Sequence, residues 1–203
     1  MNIRHSLGNL VTAFRAFLFG GTNDENGIWV GNFGALELVA REGDQAPGLV
    51  SGVVFADPGS EFSGFMTPLL NGAGDVAFQA KVTGPSVGSS NEVGIWIGRP
   101  SHSSGLTLVA RSGDAAPGTE SGVVFSSFDT SSGSLVLNGS GKIAFRAMVT
   151  GPGIDSSNDT GIWLGDNTGL SLVAREGAAA PGTMSGVVFK TLSAPILNNA
   201  DEI

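Results

Sequence analysis

Short runs of apolar residues alternate with glycine-rich turns along the whole chain. Residues 142 to 150 show the pattern most clearly, because alternate side chains fall on opposite faces. One face carries Ile143, Phe145, Ala147 and Val149, and the other carries Ala144, Arg146 and Met148. A period of two predicts a strand, and no apolar run is long enough to favour a helix. The pattern therefore predicts an all-β protein.

The apolar runs belong to a tandem repeat with a period of 67 residues, set by Gly-Ile-Trp at Gly27, Gly94 and Gly161. Other shared segments are Leu-Val-Ala-Arg, Ala-Pro-Gly, Ser-Gly-Val-Val-Phe and, twice, Asn-x-x-Gly-x-x-Ala-Phe. Such a period indicates tandem supersecondary units. We therefore divide residues 1–203 into one array with a partial first repeat (1–26), two repeats (27–93 and 94–160) and a truncated repeat (161–203).

Each unit contains four apolar runs, which we call strands A to D. Strand A is Leu135-Val136-Leu137, and Asn138-Gly139 after it is a strong hairpin signal. Strand B follows, strand C centres on Trp163, and strand D covers residues 170–175. Sequential antiparallel strands in tandem predict propeller blades, and strict repetition favours them over a sandwich of unrelated sheets. We expect a β-propeller segment of about three four-stranded antiparallel blades, in an incomplete ring.

Several aromatic residues and one arginine recur in every unit, which indicates structural roles. We expect the aromatic side chains to fill the wedges between blades, with ligand stacking as the alternative. The arginine that ends strand D is expected to bind a carboxylate or backbone carbonyls of its loop, with an anion-binding ring as the alternative. These structural residues are Trp29, Trp96, Trp163, Phe78, Phe145, Arg41, Arg111 and Arg175.

Composition narrows the function classes. The 203 residues are 41% hydrophobic, include 32 glycines and carry a net charge of −8. This acidic balance, without a basic cluster, argues against nucleic-acid or anionic-membrane partners. The absence of cysteine excludes disulfides and thiolate sites. The apolar run from Leu7 to Phe19 matches a repeat strand and is interrupted by Arg15, so we interpret it as a strand and not as a secretion signal.

The loops between strands B and C concentrate oxygen-bearing side chains, and we predict that any ligand binds there. Hard oxygen donors suit calcium, so Asp155 and Asp159 form a weak candidate calcium site, although EF-hand spacing is not met. The same residue types also form ordinary solvated turns, and no other cofactor is expected. The candidate ligand-binding residues are Asp24, Glu25, Asn91, Glu92, Asp155, Asn158 and Asp159.

Catalytic constellations are hard to find. His5 and His102 stand at non-equivalent positions, and no dinucleotide or phosphate-loop fingerprint is present. A glycosidase-like carboxylate pair could come from the connections between strand D and the next strand A, but no spacing selects one. The acids in these connections include Asp57, Glu61, Glu120 and Asp129. We therefore name no catalytic residue.

The Asn-x-x-Gly-x-x-Ala-Phe signature, together with Gly-Ile-Trp and Arg-Glu-Gly-Asp-x-Ala-Pro-Gly, resembles the bacterial choice-of-anchor tandem-repeat family that carries this motif. The strand order is more loosely similar to TolB-type propeller repeats. The resemblance implies a secreted or surface-anchored protein without an established molecular function. The opening copy departs from the motif, because residues 7 to 14 lack its Asn and Gly. The last copy stops before the expected Ala-Phe, so we expect either a piece of a longer protein or ring closure by other copies.

These observations favour a non-catalytic, secreted or cell-surface repeat module for binding or structural display. The alternative is a propeller glycan hydrolase or lyase that uses acids of the irregular connections. Expected partners are an unknown extracellular ligand or surface polymer, and further repeats of the same protein or other copies of the chain. We expect no nucleic-acid partner and no membrane span in this segment.

Overall fold

A computed structural model describes residues 11–18, 25–32, 34–56, 64–99, 105–131 and 133–199. This part of the chain is all-β, as predicted, and contains no helix. Its thirteen strands are β1 (Thr12–Leu18), β2 (Glu25–Asn32), β3 (Ala35–Arg41), β4 (Val54–Phe55), β5 (Leu69–Leu70), β6 (Val76–Thr83), β7 (Val93–Gly98), β8 (Leu106–Arg111), β9 (Val124–Phe128), β10 (Leu135–Leu137), β11 (Ile143–Thr150), β12 (Thr160–Asp166) and β13 (Gly169–Arg175). The described residues accordingly include no helix that could span a membrane.

The strands form three antiparallel sheets, and none of them closes on itself. Sheet 1 has the order β1-β2-β3, sheet 2 the order β4-β6-β7-β8, and sheet 3 the order β10-β11-β12-β13. Two short strands lie off these paths, since β5 also pairs with β6 and β9 pairs with β11. Each sheet joins the end of one sequence repeat to the beginning of the next. The result is the predicted incomplete β-propeller-like arrangement.

The four strands A to D are present in sheets 2 and 3, but each of these sheets gains a fifth strand. This strand comes from Ser-Gly-Val-Val-Phe, which the sequence analysis left within the connection after strand D. Strand B is longer than strand A, so its second half has free backbone groups that can pair with another segment. The partners are Val54↔Thr83 in sheet 2 and Val124↔Thr150 in sheet 3. In sheet 1, three strands lie within the described residues.

Neighbouring sheets pack face to face through aromatic clusters. Trp96 and Trp163 are both 0% exposed. The Trp96 ring stacks on Phe78 with centroids 6.1 Å apart, and Phe55 meets it edge-on at 5.1 Å. Phe65 completes this cluster, which faces Ile28 and other apolar residues of sheet 1. Sheet 3 repeats the arrangement around Trp163 against sheet 2.

The glycine of Gly-Ile-Trp lets the indole fold back over its own strand. A Cβ atom at Gly94 would lie 2.5 Å from Cη2 of Trp96, and one at Gly161 would lie 2.6 Å from Cη2 of Trp163. A β-bulge between Ile95 and Trp96 turns the strand at this point. Only glycine leaves room for a fully buried indole in this position, which explains why the three residues recur together.

Candidate functional site

The asparagine of the Asn-x-x-Gly-x-x-Ala-Phe signature closes the turn between strands A and B. The side-chain oxygen of Asn71 accepts hydrogen bonds from the backbone N–H groups of Ala73 (3.0 Å) and Asp75 (2.8 Å). In sheet 3, Asn138 accepts from Ser140 (3.1 Å) and Lys142 (2.9 Å) in the same way. This is the local bonding by which Asn mimics a backbone turn.

The amide nitrogen of the same asparagine reaches the next repeat. Asn71 Nδ2 donates to the backbone carbonyl of Asn138 at 2.8 Å, and Asn138 Nδ2 donates to that of Asn198 at 3.0 Å. Asn199 reinforces the second step, because its side-chain oxygen accepts from the Gly139 N–H at 2.8 Å. The signature asparagines thus form a ladder of hydrogen bonds along the array. In each of them the amide oxygen closes its own turn, and the amide nitrogen bonds to the next repeat.

The recurrent Ala-Pro-Gly segment supplies a partner for each buried indole. Trp96 Nε1 donates to the carbonyl of Pro47 at 3.0 Å, and Trp163 Nε1 donates to the carbonyl of Pro117 at 2.9 Å. In both cases the acceptor belongs to the loop after the preceding sheet. A buried indole N–H needs such a partner, so Trp and Pro positions are coupled between sheets.

The three arginines that end strand D bind loop groups in three different ways. Arg41 lies 3.4 Å from the carboxylate of Asp44, and Arg111 Nε donates to the backbone carbonyl of Asn91 at 2.7 Å. Arg175 holds Glu120 through two bonds of 2.7 and 3.1 Å.

Glu120 belongs to the loop of the preceding sheet, 55 residues earlier in the chain. The hydrogen bonds from Arg175 lower the pKa of Glu120 from 4.5 to about 2. This pair therefore bridges two sheets, whereas the predicted partner was a carboxylate or backbone carbonyl of the arginine's own loop.

The predicted ligand-binding residues of the B–C loops build their own turns. Asn91 accepts from the Gly88 N–H at 2.8 Å and donates to the Ser86 carbonyl at 3.0 Å. Asn158 does the same in sheet 3, with the Asp155 N–H (2.9 Å) and the Gly153 carbonyl. Glu92 forms an ion pair with Lys81 at 2.7 Å, and Asp159 accepts from the Thr160 hydroxyl at 3.1 Å. Asp24 and the Glu25 side chain lie outside the described residues.

The weak calcium candidate falls in one of these turns. Asp155 accepts from the hydroxyl (2.6 Å) and the N–H (2.8 Å) of Ser157, and these bonds lower its pKa. No group of three or more potential metal-ligating side chains occurs among the residues that the structure describes. Within the described chain, no hydrogen bond or ion pair joins Asn91 or Glu92 to the corresponding residues of sheet 3. The structure therefore places the predicted residues in separate turns.

The candidate acids of the irregular connections have charged or turn partners. Asp129 accepts from the Ser131 hydroxyl and N–H and forms an ion pair with Arg146. The Ser131 hydrogen bond is the main cause of the lowered pKa of Asp129. Glu120 is held by Arg175, so both described candidates favour the ionised form. Asp57, Glu61, His5 and His102 lie outside the described residues.

Two cavities open on a different surface, beside the segments that lead into the A strands of the second and third copies. We call this surface the A-strand edge. The first cavity has a volume of about 280 Å³ and is lined by Gln79, Thr130 and Ser134. The second is about 480 Å³, lies between sheet 3 and the segment around Leu192, and contains Arg146 and Glu176. Both lie between one sheet and the next repeat of the chain.

One polar position in strand B, the x of Ala-Phe-x-Ala, lines both cavities. In each repeat this side chain donates across to a backbone carbonyl of the next repeat: Arg15 to Phe65, Gln79 to Asp129 at 3.0 Å, and Arg146 to Leu192 at 2.7 Å. Gln79 is only 3% exposed, and its Oε1 atom has no hydrogen-bond partner in the described structure. Gln79 is not among the residues predicted from the sequence, although a polar residue at the same place in three apolar strands is a visible signal.

Comparison with known proteins gives one result. Residues 8–203 match a family of unknown function (DUF7453). No curated protein and no solved structure matches the chain. Since the match covers nearly the whole sequence, the chain belongs to the DUF7453 family of unknown function.

Proposed function

We propose that this chain is a non-catalytic repeat module, secreted or displayed at the cell surface, that binds or presents a surface polymer. The observation that carries the proposal is that the recurring polar side chains connect one sheet to the next. The Asn ladder and the Trp–Pro hydrogen bonds hold neighbouring sheets together. The described candidate acids, Glu120 and Asp129, form ion pairs with arginines. Resemblance to the choice-of-anchor repeats supports the extracellular location. The partners that extend the array are further repeats or other copies of the chain.

The A-strand edge is the part of the array best suited to a ligand. The Oε1 atom of Gln79 is a buried acceptor, and leaving such an atom unpaired costs about 1–3 kcal/mol. Gln79 lines the first cavity, so a rotation of its side chain would bring this atom within reach of a ligand hydroxyl group there. The cavity volume of about 280 Å³ suits a short segment of a polymer. With a net charge of −8, the chain favours a neutral polysaccharide over an anionic one.

A glycan hydrolase or lyase fits these acids less well. Glycosidases pair an ionised carboxylate with a carboxylic acid whose pKa is raised, so that it can protonate the leaving group. Glu120 and Asp129 have lowered pKa values instead. Each also has a bonded arginine, which would have to be displaced before the carboxylate could act.

The proposal is tested with insoluble and soluble neutral polysaccharides, measuring both retention of the protein and release of reducing ends. We expect retention without product release. Gln79→Leu keeps the side-chain volume but removes both the acceptor and the donor to the Asp129 carbonyl, so it should weaken retention several-fold, and its melting temperature is measured in parallel to show that the fold persists. Ser171→Ala on β13, at the opposite edge of sheet 3, is the matched control and should bind like wild type. Product release, or undiminished retention by Gln79→Leu, would contradict the proposal.

A further inference from the structure

We propose that copies of this chain associate head to tail, with residues 184–199 of one copy completing sheet 1 of the next. The inference is independent of polymer binding and rests on a match between sheet 1 and residues 184–199. Among the residues that the structure describes, sheet 1 has β1 as an edge strand, and no further strand covers its aromatic face. Residues 184–199 are the counterparts of the segments that cover the equivalent face of sheets 2 and 3.

The receiving end is strand β1 with the aromatic pair behind it. The equivalent strands β6 and β11 each pair with two further short strands, whereas β1 pairs only with β2 in the described chain. Phe14 stacks on Trp29 with centroids 6.3 Å apart, as Phe78 does on Trp96. However, Trp29 is only half-buried, and no further phenylalanine packs on it in the described structure. The corresponding rings of sheets 2 and 3 are fully buried.

The donating end already has the conformation of the segments that cover sheets 2 and 3. Val188 forms a bridge with Ala179, as Val54 does with Gln45 and Val124 with Ala115. The Phe189 N–H donates to the Ala178 carbonyl at 2.9 Å, as the equivalent N–H groups do in the earlier loops. Residues 190–199 nevertheless form no strand. Ile196 is 84% exposed, so apolar surface remains open in this segment.

A close contact between a loop glycine and a leucine of the following sheet recurs at both internal interfaces, and its two halves are present in residues 182 and 38. A Cβ atom at Gly48 would lie 3.0 Å from Cβ of Leu108, and one at Gly118 would lie 2.7 Å from Cβ of Leu172. These leucines belong to the sheet after each glycine. Gly182 has the same positive φ, +77° against +83° and +80°, but a Cβ there would meet nothing within 4 Å. Leu38, the equivalent leucine of sheet 1, is 38% exposed.

The polar and aromatic contacts match in the same way. Both internal interfaces contain a Trp–Pro hydrogen bond and an edge-on Phe–Trp contact of 4.9–5.1 Å. Between two copies, Trp29 would donate to the Pro181 carbonyl and receive the edge of Phe189. A second copy of the chain can therefore occupy this face. Its Pro181 carbonyl, Gly182 and Phe189 ring follow one another in the same order as the equivalent groups at the internal interfaces.

The internal registers predict how the strands pair. Leu70 lies opposite Val76 in sheet 2, and Leu137 lies opposite Ile143 in sheet 3. The same register places Leu197 of one copy opposite Thr12 of the next. A contact of this kind is heterologous, so it produces either closed rings or open filaments.

The chain contains no cysteine, which permits a clean cross-linking test. Two variants, Thr12→Cys and Leu197→Cys, are prepared separately, mixed and oxidised mildly. We expect a disulfide-linked dimer in the mixture, at least ten times more abundant than in either variant alone. Thr12→Cys mixed with Ser171→Cys is the control and should give only the background yield. Equal yields in both mixtures, or no cross-link, would overturn the proposal.

Sedimentation velocity on the intact chain gives an independent readout. The wild type should associate with increasing concentration, and Ile196→Glu should shift association to at least tenfold higher concentration. Val50→Glu is the matched control, because Val50 is also exposed but lies in the loop after sheet 1, away from the proposed contact. The loop after sheet 2 has a glutamate, Glu120, at the equivalent position. A wild-type chain that stays monomeric at all concentrations, or equal effects of the two variants, would contradict head-to-tail association.

Discussion

The indole nitrogen of Trp163 donates to the backbone carbonyl of Pro117 at 2.9 Å, across the interface between sheets 3 and 2. The same ring is fully buried and meets Phe125 edge-on. One side chain thus supplies both apolar burial and a directional bond to the preceding loop. This combination explains why Trp and Pro recur with the same period.

Replacing Trp163 separates these two contributions. Trp163→Ala removes the buried ring and should lower the free energy of unfolding by about 3–5 kcal/mol. Trp163→Phe keeps an aromatic ring but deprives the Pro117 carbonyl of its donor, so we expect a loss of about 1–3 kcal/mol. Urea unfolding measures both values. Trp29→Ala, at the half-buried equivalent in sheet 1, should cost less than Trp163→Ala; equal losses would contradict the interface role.

A second prediction concerns the glycine before the indole. Gly94→Ala would place a methyl group 2.5 Å from Trp96, and the buried ring cannot move aside. Overpacking of this kind costs about 1–3 kcal/mol. Gly72→Ala is the control, since a Cβ there would meet nothing within 4 Å. Thermal unfolding should show a clear destabilisation for the first variant alone, and similar melting temperatures for the two would argue against the packing account.

The Asn ladder gives a third prediction. Asn138 is buried, and its loss would leave the Ser140 and Lys142 N–H groups without their acceptor and Asn198 without its donor. Asn138→Ala should therefore cost about 1–3 kcal/mol and make residues 190–199 more susceptible to limited proteolysis. Asn199→Ala removes one exposed bond and should have a smaller effect on unfolding. Unchanged proteolysis of residues 190–199 in Asn138→Ala would rule out the ladder as their anchor.

The ion pair between Glu120 and Arg175 makes the stability of the fold depend on pH. Because the folded-state pKa of Glu120 is lowered from 4.5 to about 2, the pair stabilises the fold fully above about pH 4.5, and the contribution is lost as pH falls towards 2. The melting-temperature difference between wild type and Glu120→Gln should shrink over that window. Adding Arg175→Gln to Glu120→Gln should cause little further change at neutral pH. A difference that does not vary with pH would exclude the pair as its source.

Much of the fold could be predicted from the sequence, because local patterns determine it. The alternation in residues 143–150 and the Asn-Gly turn before it specify a strand and a hairpin directly. The fifth strand of each large sheet could not be predicted in this way. Val54-Phe55 has no period of its own, and it becomes a strand only because β6 is longer than its other partner. Phe65 likewise fills the place of Phe128 from an irregular segment whose length differs between copies.

The functional surface was less predictable than the fold. Asp155, Asn91 and Asn158 are residue types that bind ligands and also form turns, and the sequence does not distinguish the two uses. In the structure their oxygens accept from nearby N–H and hydroxyl groups. The polar residue at the position of Gln79 recurs in the sequence, but its burial and its unpartnered oxygen depend on the neighbouring repeat and are visible only in the structure.

The central claim is that each sheet depends on its neighbour through the buried indole between them. Hydrogen exchange of Trp163→Ala tests it directly, because Ile95 and Ile97 of β7 pack in the same core as Trp163 although they belong to sheet 2. We predict faster exchange in β7 as well as in sheet 3, with Trp29→Ala leaving β7 protected as in wild type. Loss of protection confined to sheet 3 in Trp163→Ala would contradict the claim.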